Sequence, residues 1–307
     1  MQASAEWSKA LVKLVQTINN FKFESAFSKE GCVPFYAQGM RLGIISPEVL
    51  NTLEEKYSDD FIIDKERKSV CLHEKYKTER ERTDAFRRLL TDMREKEVFR
   101  SFKGWRNETY GIYYKRHEAP IFHVERSSCA VFGFTSYGVH INGYTYRDGK
   151  IMMWVGRRSP TKPTFPNMLD NMCAGGLASG LGVMECAIKE CREEASVDDE
   201  TLKSLRPAGA VSYCYRDHRG ILPETEYVFD LEVSPDFVPR SADGEMEQFY
   251  LHSLEEIQSL IINEEFKPNC AMVTVDFMIR RGLIAPDEEP NYSYLVERMH
   301  VNLQPPC

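Results

Sequence analysis

A glycine pair followed closely by a cluster of glutamates is the feature that most constrains this chain. The segment AGGLASGLGVMECAIKECREEASV spans residues 174–197. Within residues 184–195 the apolar side chains recur at helical spacing, which predicts an amphipathic helix that packs on a sheet. Glu190, Glu193 and Glu194 fall at i, i+3 and i+4, so this helix would hold their carboxylates together beside its apolar stripe.

Such a group of carboxylates favours a bound cation. Carboxylates held close together raise one another's pKa unless a cation neutralises them. Mg²⁺ prefers oxygen ligands of this kind and bridges to the phosphates of a substrate. The glycine-rich loop before the helix, which begins with Gly175 and Gly176, would let the backbone approach an anion and would fix the start of the helix. An acidic, solvated helix face is the alternative, because acidic helix faces are common.

The composition is that of a soluble globular protein and excludes several other classes. The chain has 307 residues, 42% hydrophobic and 28% charged, enough for one large domain or two ordinary ones. A net charge of -8 argues against a nucleic-acid partner. The longest apolar runs are too short for a membrane span, which needs about 20 residues. Nine scattered cysteines without a CxxC pair, and a start without a secretory pattern, predict a cytoplasmic protein.

The pattern of secondary structure changes along the chain. Up to Tyr110 helical and extended segments alternate, and strand patterns dominate afterwards. Asp148-Gly149 between two such strands predicts a hairpin. The expected helices cover residues 46–57, 79–98, 184–195, 254–262 and 271–281. This mixture predicts an α+β fold with a domain boundary between residues 120 and 130.

The segment at residues 174–197 resembles the Nudix box, Gx5Ex7REUxEExGU, in which U is a bulky apolar residue. KECREEASV at residues 189–197 stands where REUxEExGU is expected, and Gly175 or Gly176 takes the place of the first glycine. The segment departs from the pattern at Leu181 (first glutamate), Lys189 (arginine) and Ser196 (late glycine). Because that glutamate and arginine commonly pair in the family, we interpret their replacement as one coupled change.

Three other stretches resemble the Nudix subgroup related to thiamine pyrophosphokinase, at residues 155–176, 243–249 and 266–282. The resemblance covers nearly the whole chain. It implies an N-terminal α/β accessory domain at residues 1–125, followed at residues 126–307 by a Nudix α/β/α sandwich with a mixed sheet.

The resemblance also implies an activity. The chain would be a Mg²⁺-dependent diphosphatase, with Mn²⁺ as a substitute, acting on a small-molecule diphosphate. The substrates would be thiamine diphosphate-like compounds, notably oxidised or otherwise damaged forms, and the products a monophosphate and phosphate. Two alternatives stay open: a Nudix hydrolase of nucleoside diphosphate sugars or dinucleotides, and a non-catalytic ligand sensor on the same scaffold.

The family's metal-site roles carry over onto the three glutamates of the acidic helix. The general base would be one of them or an additional acid from the 243–249 stretch, Glu245 or Glu247. Alternation along a strand would put Glu245 and Glu247 on the same face. By the same argument Glu224 and Glu226 are weaker candidates.

The loop before the glycine pair supplies the candidates for substrate binding. Arg157, Arg158 and Lys162 could hold the diphosphate, since Arg offers paired donors and Lys a point charge. A solvated loop is the alternative. Asp170 and its neighbour Asn171 could orient the glycine loop or bind a substrate ring, and capping of the loop is an equal alternative.

Overall fold

The computed structural model describes residues 4–303, so residues 1–3 and 304–307 of the two predicted domains lie outside the described part of the chain. The helices are α1 Ala5–Ile18, α2 Phe23–Ser28, α3 Pro47–Lys56, α4 Glu79–Glu95, α5 Cys129–Phe132, α6 Val183–Ala195, α7 Asp199–Leu202, α8 Leu254–Ile262, α9 Pro268–Arg280 and α10 Tyr292–Arg298. The strands are β1 Val33–Ala37, β2 Met40–Ile45, β3 Phe61–Asp64, β4 Ser69–Leu72, β5 Thr109–Ile112, β6 Phe122–Glu125, β7 Ser136–Arg147, β8 Lys150–Arg158, β9 Leu169–Asn171, β10 Cys173–Gly176, β11 Leu205–Asp217, β12 Gly220–Glu232 and β13 Met246–Ser253. The predicted helices therefore form, with ends that differ by a few residues.

The N-terminal half is built on a sheet of order β2-β1-β4-β3 and on the separate pair β5-β6. The side chain of Ser46 accepts a hydrogen bond from the backbone of Val49 and so caps α3. Thr78 and Glu81 form a capping box at the start of α4. The core of this half is rich in phenylalanine, with Phe86 stacked on Phe122 at a centroid distance of 4.5 Å.

The C-terminal half is built on a mixed sheet of order β11-β12-β7-β8-β13. Strand β7 runs parallel to β12 and antiparallel to β8, which confirms the predicted mixed sheet. Asp148 and Gly149 join β7 to β8 with φ values of 50° and 74°, as a type I′ hairpin requires. Strands β7 and β8 diverge beyond this hairpin, where β10 pairs with β7 and β9 pairs with β8.

Helices cover both faces of this sheet, so the predicted sandwich is confirmed. The apolar stripe of α6, including Cys186 and Cys191, packs with Val139, Ile141 and Phe229 on one face. On the other face the buried side chains of α8, α9 and α10 pack with those of β11 and β12. The cysteines follow the expected pattern: of those described, all are buried except Cys71, which is half-buried.

Two elements cross the predicted boundary between residues 125 and 126. Helix α1 belongs to the N-terminal segment of the chain, but its Leu11 and Val15 pack in the C-terminal core together with α9. Conversely, Phe132 and Phe134 lie after the boundary and pack in the N-terminal core. An apolar stripe predicts that a helix packs, whereas its partner depends on chain topology. Within residues 4–303, the helices are too short or too polar to cross a membrane.

Candidate active site

Helix α6 positions the glutamates of the box. The backbone N–H of Gly182 donates to Glu185 Oε2 at 2.9 Å and so closes the start of the helix. The helix ends at Ser196, whose φ of 52° lies in the left-handed region that glycine adopts without strain. Ser196 stands where the Nudix box has a glycine and adopts the left-handed conformation that glycine favours. This conformation is strained for a residue with a side chain.

The glycine pair ends β10, and the helix starts at Gly182, the N-cap residue at the end of the glycine-rich loop. A Cβ atom added to Gly175 would lie 2.2 Å from Cδ of Glu190. A Cβ atom added to Gly176 would lie 1.7 Å from the hydroxyl oxygen of Tyr110. Real Cβ contacts are never this short, so the pair makes room for a carboxylate on one side of the strand and a phenol on the other.

Acidic side chains converge beside the C-terminal part of α6. One carboxylate oxygen from each of Glu194, Asp243 and Glu245 lies within 4.8 Å of the others. Glu194 is buried, and its Oε2 accepts a hydrogen bond from the backbone of Ala174 at 2.8 Å. Glu190 lies one turn earlier. We call Glu190, Glu194, Asp243 and Glu245 the carboxylate cluster.

The electrostatics of the cluster show an excess of negative charge. Burial raises the pKa of Glu194 well above its usual range, and Asp170 and Glu190 raise it further. Burial also raises the pKa of Glu190, an effect that Lys189 partly opposes. Burial would raise the pKa of Glu245 as well, but the hydrogen bond and charge of Lys162 lower it overall. A cation among these oxygens would remove the conflict.

Glu247 lies outside the cluster, contrary to the expected alternation. The pairing of β13 with β8 shifts register between Met246 and Gln248, so Glu247 sits in a β-bulge. Its side chain is exposed and takes part in no hydrogen bond or ion pair within residues 4–303. Of the two acids from this stretch, Glu245 is the one that reaches the cluster.

Arg158 and Asp170 form a buried ion pair instead of an open phosphate site. Arg158 Nη1 donates to Asp170 Oδ2 at 2.6 Å. The other two nitrogens of the guanidinium donate to the carbonyls of Phe165 and Thr164 at 3.0 and 2.9 Å. Burial alone would raise the pKa of Asp170, but Lys267 and Arg158 lower it to about 2. Arg158 therefore holds the loop together.

The ion pair continues into a wider set of buried polar side chains. Cys270 Sγ donates to Asp170 Oδ1 at 2.7 Å. Asn171, which follows Asp170, accepts a hydrogen bond at its Oδ1 from His140 Nδ1 at 2.8 Å and donates from its Nδ2 to Thr274 Oγ1 at 3.2 Å. We call Arg158, Asp170, Asn171, His140 and Cys270 the buried network. Asp170 and Asn171 thus anchor the loop to α9 and β7, as the capping interpretation expects.

The remaining cations of the loop divide between two roles. Arg157 Nη1 donates to the carbonyl of Asn167 at 2.8 Å, and its Nη2 lies 3.5 Å from Glu265. The ammonium of Lys162 instead pairs with Glu245. Of the predicted loop cations, Lys162 is therefore the one that contacts the carboxylate cluster.

Comparison with known proteins decides the family. Residues 137–270 match the family model described as "NUDIX domain", and residues 10–136 match "Domain of unknown function (DUF4743)". Nudix hydrolase 24, chloroplastic, of Arabidopsis thaliana is 32% identical, with 87% of this chain and 72% of that protein covered. The chain belongs to the Nudix hydrolase family. It is therefore an enzyme of the hydrolase class.

Two further similar proteins have names that state no activity. Uncharacterized protein YJR142W of Saccharomyces cerevisiae is 38% identical, with 86% of this chain and 82% of that protein covered. Among solved structures, DR0079 of Deinococcus radiodurans is 21% identical and covers 57% of this chain and 98% of its own, with a TM-score of 0.42.

The donor set of this Nudix hydrolase fits the divalent metal ions that the family uses. The carboxylate cluster offers oxygen atoms alone, as hard cations such as Mg²⁺ require. Glu193 stands apart, since its side chain is half exposed and Lys189 Nζ donates to its Oε2 at 2.6 Å. Lys189 also lies 3.3 Å from Glu190, while Leu181 packs among apolar side chains near α6. With no acid at position 181, the lysine pairs with the glutamates of the box.

The N-terminal half of this Nudix hydrolase contacts the loop of the Nudix box through residues that the sequence analysis did not single out. The backbone N–H of Ser179 donates to the carbonyl of Thr109 at 2.9 Å. The hydroxyl of Ser179 also lies 2.7 Å from His123 Nδ1. Tyr110 touches Gly176, as described above. The loop of the Nudix box is thus fastened to β5 and β6, and no local pattern in the sequence signals this long-range contact.

A second acidic group lies on the sheet face that carries α9. Tyr213 Oη lies 2.6 Å from Glu224 Oε2 and 2.8 Å from Glu226 Oε1. Burial and the charge of Glu226 raise the pKa of Glu224, whereas the hydrogen bond and charge of His140 lower the pKa of Glu226 against the effect of burial. The weaker candidates of the sequence analysis therefore bind Tyr213 and lie outside the carboxylate cluster.

Proposed function

We propose that this Nudix hydrolase is a Mg²⁺-dependent diphosphatase of thiamine diphosphate-like compounds, with Mn²⁺ as a substitute. The observation that carries the reaction is the convergence of Glu194, Glu245 and Asp243 within 4.8 Å of one another, with Glu190 beside them. Carboxylates held together away from water raise the free energy of the folded chain unless a cation neutralises them. An anionic substrate then balances the remaining positive charge of the cation. A diphosphate bound through metal ions meets both needs.

Glu190 and Glu194 would hold the metal together with Glu245, and the family resemblance adds Glu193. When bound, Mg²⁺ polarises the phosphoryl oxygens, neutralises developing charge and lowers the pKa of water. Lys162 keeps Glu245 in the ionised form that a metal ligand or, alternatively, a proton acceptor needs. Glu190 faces the same space and is the other candidate for the acceptor. Attack of water on the terminal phosphorus then gives a monophosphate ester and phosphate.

The thiamine-like class is supported by the resemblance of residues 155–176 and 266–282 to the thiamine pyrophosphokinase-related subgroup. Within that class we propose oxidised or otherwise damaged forms as the preferred substrates, and the rates with oxidised and intact thiamine diphosphate measure this preference.

The test is a panel of diphosphates incubated with the purified chain, with Mg²⁺ or with a chelator. The panel contains thiamine diphosphate, an oxidised thiamine diphosphate, ADP-ribose and a nucleotide sugar, with products identified by chromatography. We expect Mg²⁺-dependent release of phosphate and a monophosphate from the thiamine-like compounds. Release of pyrophosphate, or strong turnover of nucleotide sugars alone, would contradict the proposed substrate. Binding without turnover of any compound would instead support the ligand sensor.

We also propose a cytoplasmic location. The described cysteines are free thiols, and nearly all are buried, as suits a reducing compartment. Imaging of the tagged chain in intact cells would check this, and a signal confined to an organelle would contradict it.

A further inference from the structure

Two arginines of the N-terminal half approach the site from the side of the Nudix-box loop. Arg126 follows β6 directly, and its Cζ would lie 3.2 Å from a Cβ atom on Gly176. Its guanidinium also lies over the ring of Tyr110, 5.3 Å from the centroid. Arg126 is thus held at the same strand end, β10, that contacts Glu190 through Gly175.

Arg106 adds a second positive charge to the same region. Its backbone N–H donates to Glu125 Oε1 at 2.9 Å, which ties it to the end of β6. Its side chain forms no hydrogen bond or ion pair with any residue between 4 and 303. The side chain of Arg106 is exposed, and its partial desolvation together with the nearby charge of Arg126 lowers its pKa, while Glu108 and Glu245 oppose this. Glu245, a member of the carboxylate cluster, is therefore within electrostatic reach.

The internal partners of these arginines leave donors unused. Arg126 Nη1 donates to Glu108 Oε2 at 2.9 Å, and about a third of its side chain, 35%, is exposed. Its Nε and Nη2 donate no hydrogen bond to the described residues. Arg158, by contrast, donates from each of its three guanidinium nitrogens. Arg126 and Arg106 keep N–H groups without a partner among residues 4–303, although each guanidinium lies within the electrostatic influence of the other.

We propose that Arg126 and Arg106 form an anion subsite through which the N-terminal half holds a phosphoryl group of the substrate. The inference rests on the proposed diphosphatase reaction. The carboxylate cluster, with its metal ions, would bind the diphosphate from the side of α6, and the arginines would bind it from the side of β5 and β6. Paired guanidinium donors match the spacing of phosphate oxygens. The accessory half thereby takes part in selecting phosphorylated ligands.

Substitutions of Arg126 and of its partner Glu108 should have opposite effects on anion binding, which makes the subsite testable. If Arg126 serves the anion, then Glu108 competes with that anion for Nη1, and Glu108→Gln frees the donor. If the Arg126–Glu108 pair serves only the fold, both Arg126→Gln and Glu108→Gln damage the protein alike. The probe is methylenediphosphonate, a diphosphate analogue that is not hydrolysed, bound in the presence of Mg²⁺ and measured by calorimetry.

We expect Arg126→Gln to weaken binding of methylenediphosphonate about tenfold or more, because charge-assisted hydrogen bonds are lost. Arg106→Gln should weaken it about two- to fivefold, since an exposed charge is screened. Glu108→Gln should bind the probe as tightly as wild type or more tightly. Arg87→Gln is the matched control, because Arg87 is an exposed arginine of α4 paired with Asp84 at 2.6 Å, and it should bind as wild type. Thermal unfolding of each variant reports whether the fold is retained.

The proposal is overturned if Arg126→Gln binds the probe as wild type does, if Glu108→Gln weakens binding as much as Arg126→Gln, or if wild type does not bind the probe. Should Arg126→Gln fail to fold, Arg126→Lys takes its place, with weaker binding expected because a single ammonium lacks the paired donors. Binding of the probe by wild type without turnover of thiamine-like diphosphates would remove the proposed substrate and leave the subsite intact.

Discussion

The carboxylate cluster and the buried network lie side by side, and both contain buried acids, yet they differ in how their charge is satisfied. In the buried network, Asp170 meets Arg158 at 2.6 Å and every nitrogen of that guanidinium has a partner. In the carboxylate cluster, Glu194 is equally buried, but its neighbours Glu190 and Glu245 are acids as well. The charge of Asp170 in the buried network is neutralised by Arg158, whereas the negative charge of the carboxylate cluster needs a bound cation to neutralise it.

This difference separates a structural role from a functional one better than residue type does. A buried ion pair with all donors used positions the loop and the strand before the glycine pair. A buried excess of one charge weakens the fold unless a ligand compensates it, so such an excess marks a site kept for function. Substitutions that remove charge should therefore have opposite consequences in the two regions.

The largest effect is expected for Glu194→Gln. Turnover of the diphosphate substrate should fall about a thousandfold, which is about 4 kcal/mol of activation free energy, because the metal loses a ligand. Without metal, the variant should be as stable as wild type or slightly more stable, since an uncompensated buried acid is removed.

Glu193→Gln should also lose most turnover, but without the gain in stability because its side chain is half exposed. Wild-type turnover in both variants would refute the metal site.

Asp170→Asn should show the reverse pattern. Removing one partner leaves the charge of Arg158 buried without compensation, so the free energy of unfolding should fall by about 3 kcal/mol. Affinity for Mg²⁺ should be retained in the folded variant. Asp199→Asn is the control, because Asp199 pairs with Arg192 at 2.7 Å while 84% exposed and should cost less than about 1 kcal/mol. Equal losses in the two variants would show that the buried pair has no special role.

The Arg158–Asp170 pair should also determine how the free energy of unfolding depends on pH in acid. The pKa of Asp170 is lowered from 3.8 to about 2 in the folded chain, so the unfolded state binds the proton first as the pH falls. The stability from ionised Asp170 is present above about pH 4 and is lost between about pH 4 and 2, amounting to about 2 kcal/mol. Urea unfolding across this range should give a shallower slope for Asp170→Asn than for wild type. Parallel slopes would contradict the assignment.

A smaller effect is expected at the glycine pair, which joins the two regions. Gly175→Ala places a methyl group against Glu190 and should lower turnover about tenfold, with the metal site displaced while the core stays intact. Gly104→Ala is the control, since a Cβ atom there has nothing within 4 Å. Steady-state kinetics at saturating Mg²⁺ measure both variants. An unchanged rate for Gly175→Ala would mean that Glu190 can move aside without consequence.

The smallest effect concerns Leu181 and Lys189. Lys189 now pairs with Glu193 and Glu190, so Leu181→Glu should change activity little, and the change should be better tolerated together with Lys189→Arg. The expected coupling in a double-mutant cycle is about 0.5 kcal/mol. Strict additivity would show that the two positions do not interact.

The local elements could be predicted from the sequence because their causes are local. Periodicity predicted the acidic helix at residues 184–195, and the structure has Val183–Ala195. The dipeptide Asp148-Gly149 predicted the hairpin, whose positive φ values it supplies. The family resemblance predicted the glutamates of α6 as metal-site residues, and Glu190 and Glu194 lie close to Glu245.

The parts that were missed depend on contacts between distant segments. Arg158 looked like a phosphate ligand because nothing local shows that Asp170 and two carbonyls satisfy it. The alternation of side chains along a strand predicted that Glu247 lies on the same face as Glu245. A β-bulge in β13 breaks this alternation, and nothing in the sequence signals the bulge. The contacts of Tyr110 and Arg126 with Gly176 join the two halves of the chain, and no spacing rule reaches so far.

Binding of Mn²⁺, a paramagnetic substitute for Mg²⁺, tests the central contrast most directly. Titration followed by electron paramagnetic resonance should show that wild type binds Mn²⁺, that Glu194→Gln binds it much more weakly, and that folded Asp170→Asn binds it as wild type does. The account is contradicted if Glu194→Gln retains wild-type affinity, or if Asp170→Asn loses Mn²⁺ while its fold is intact.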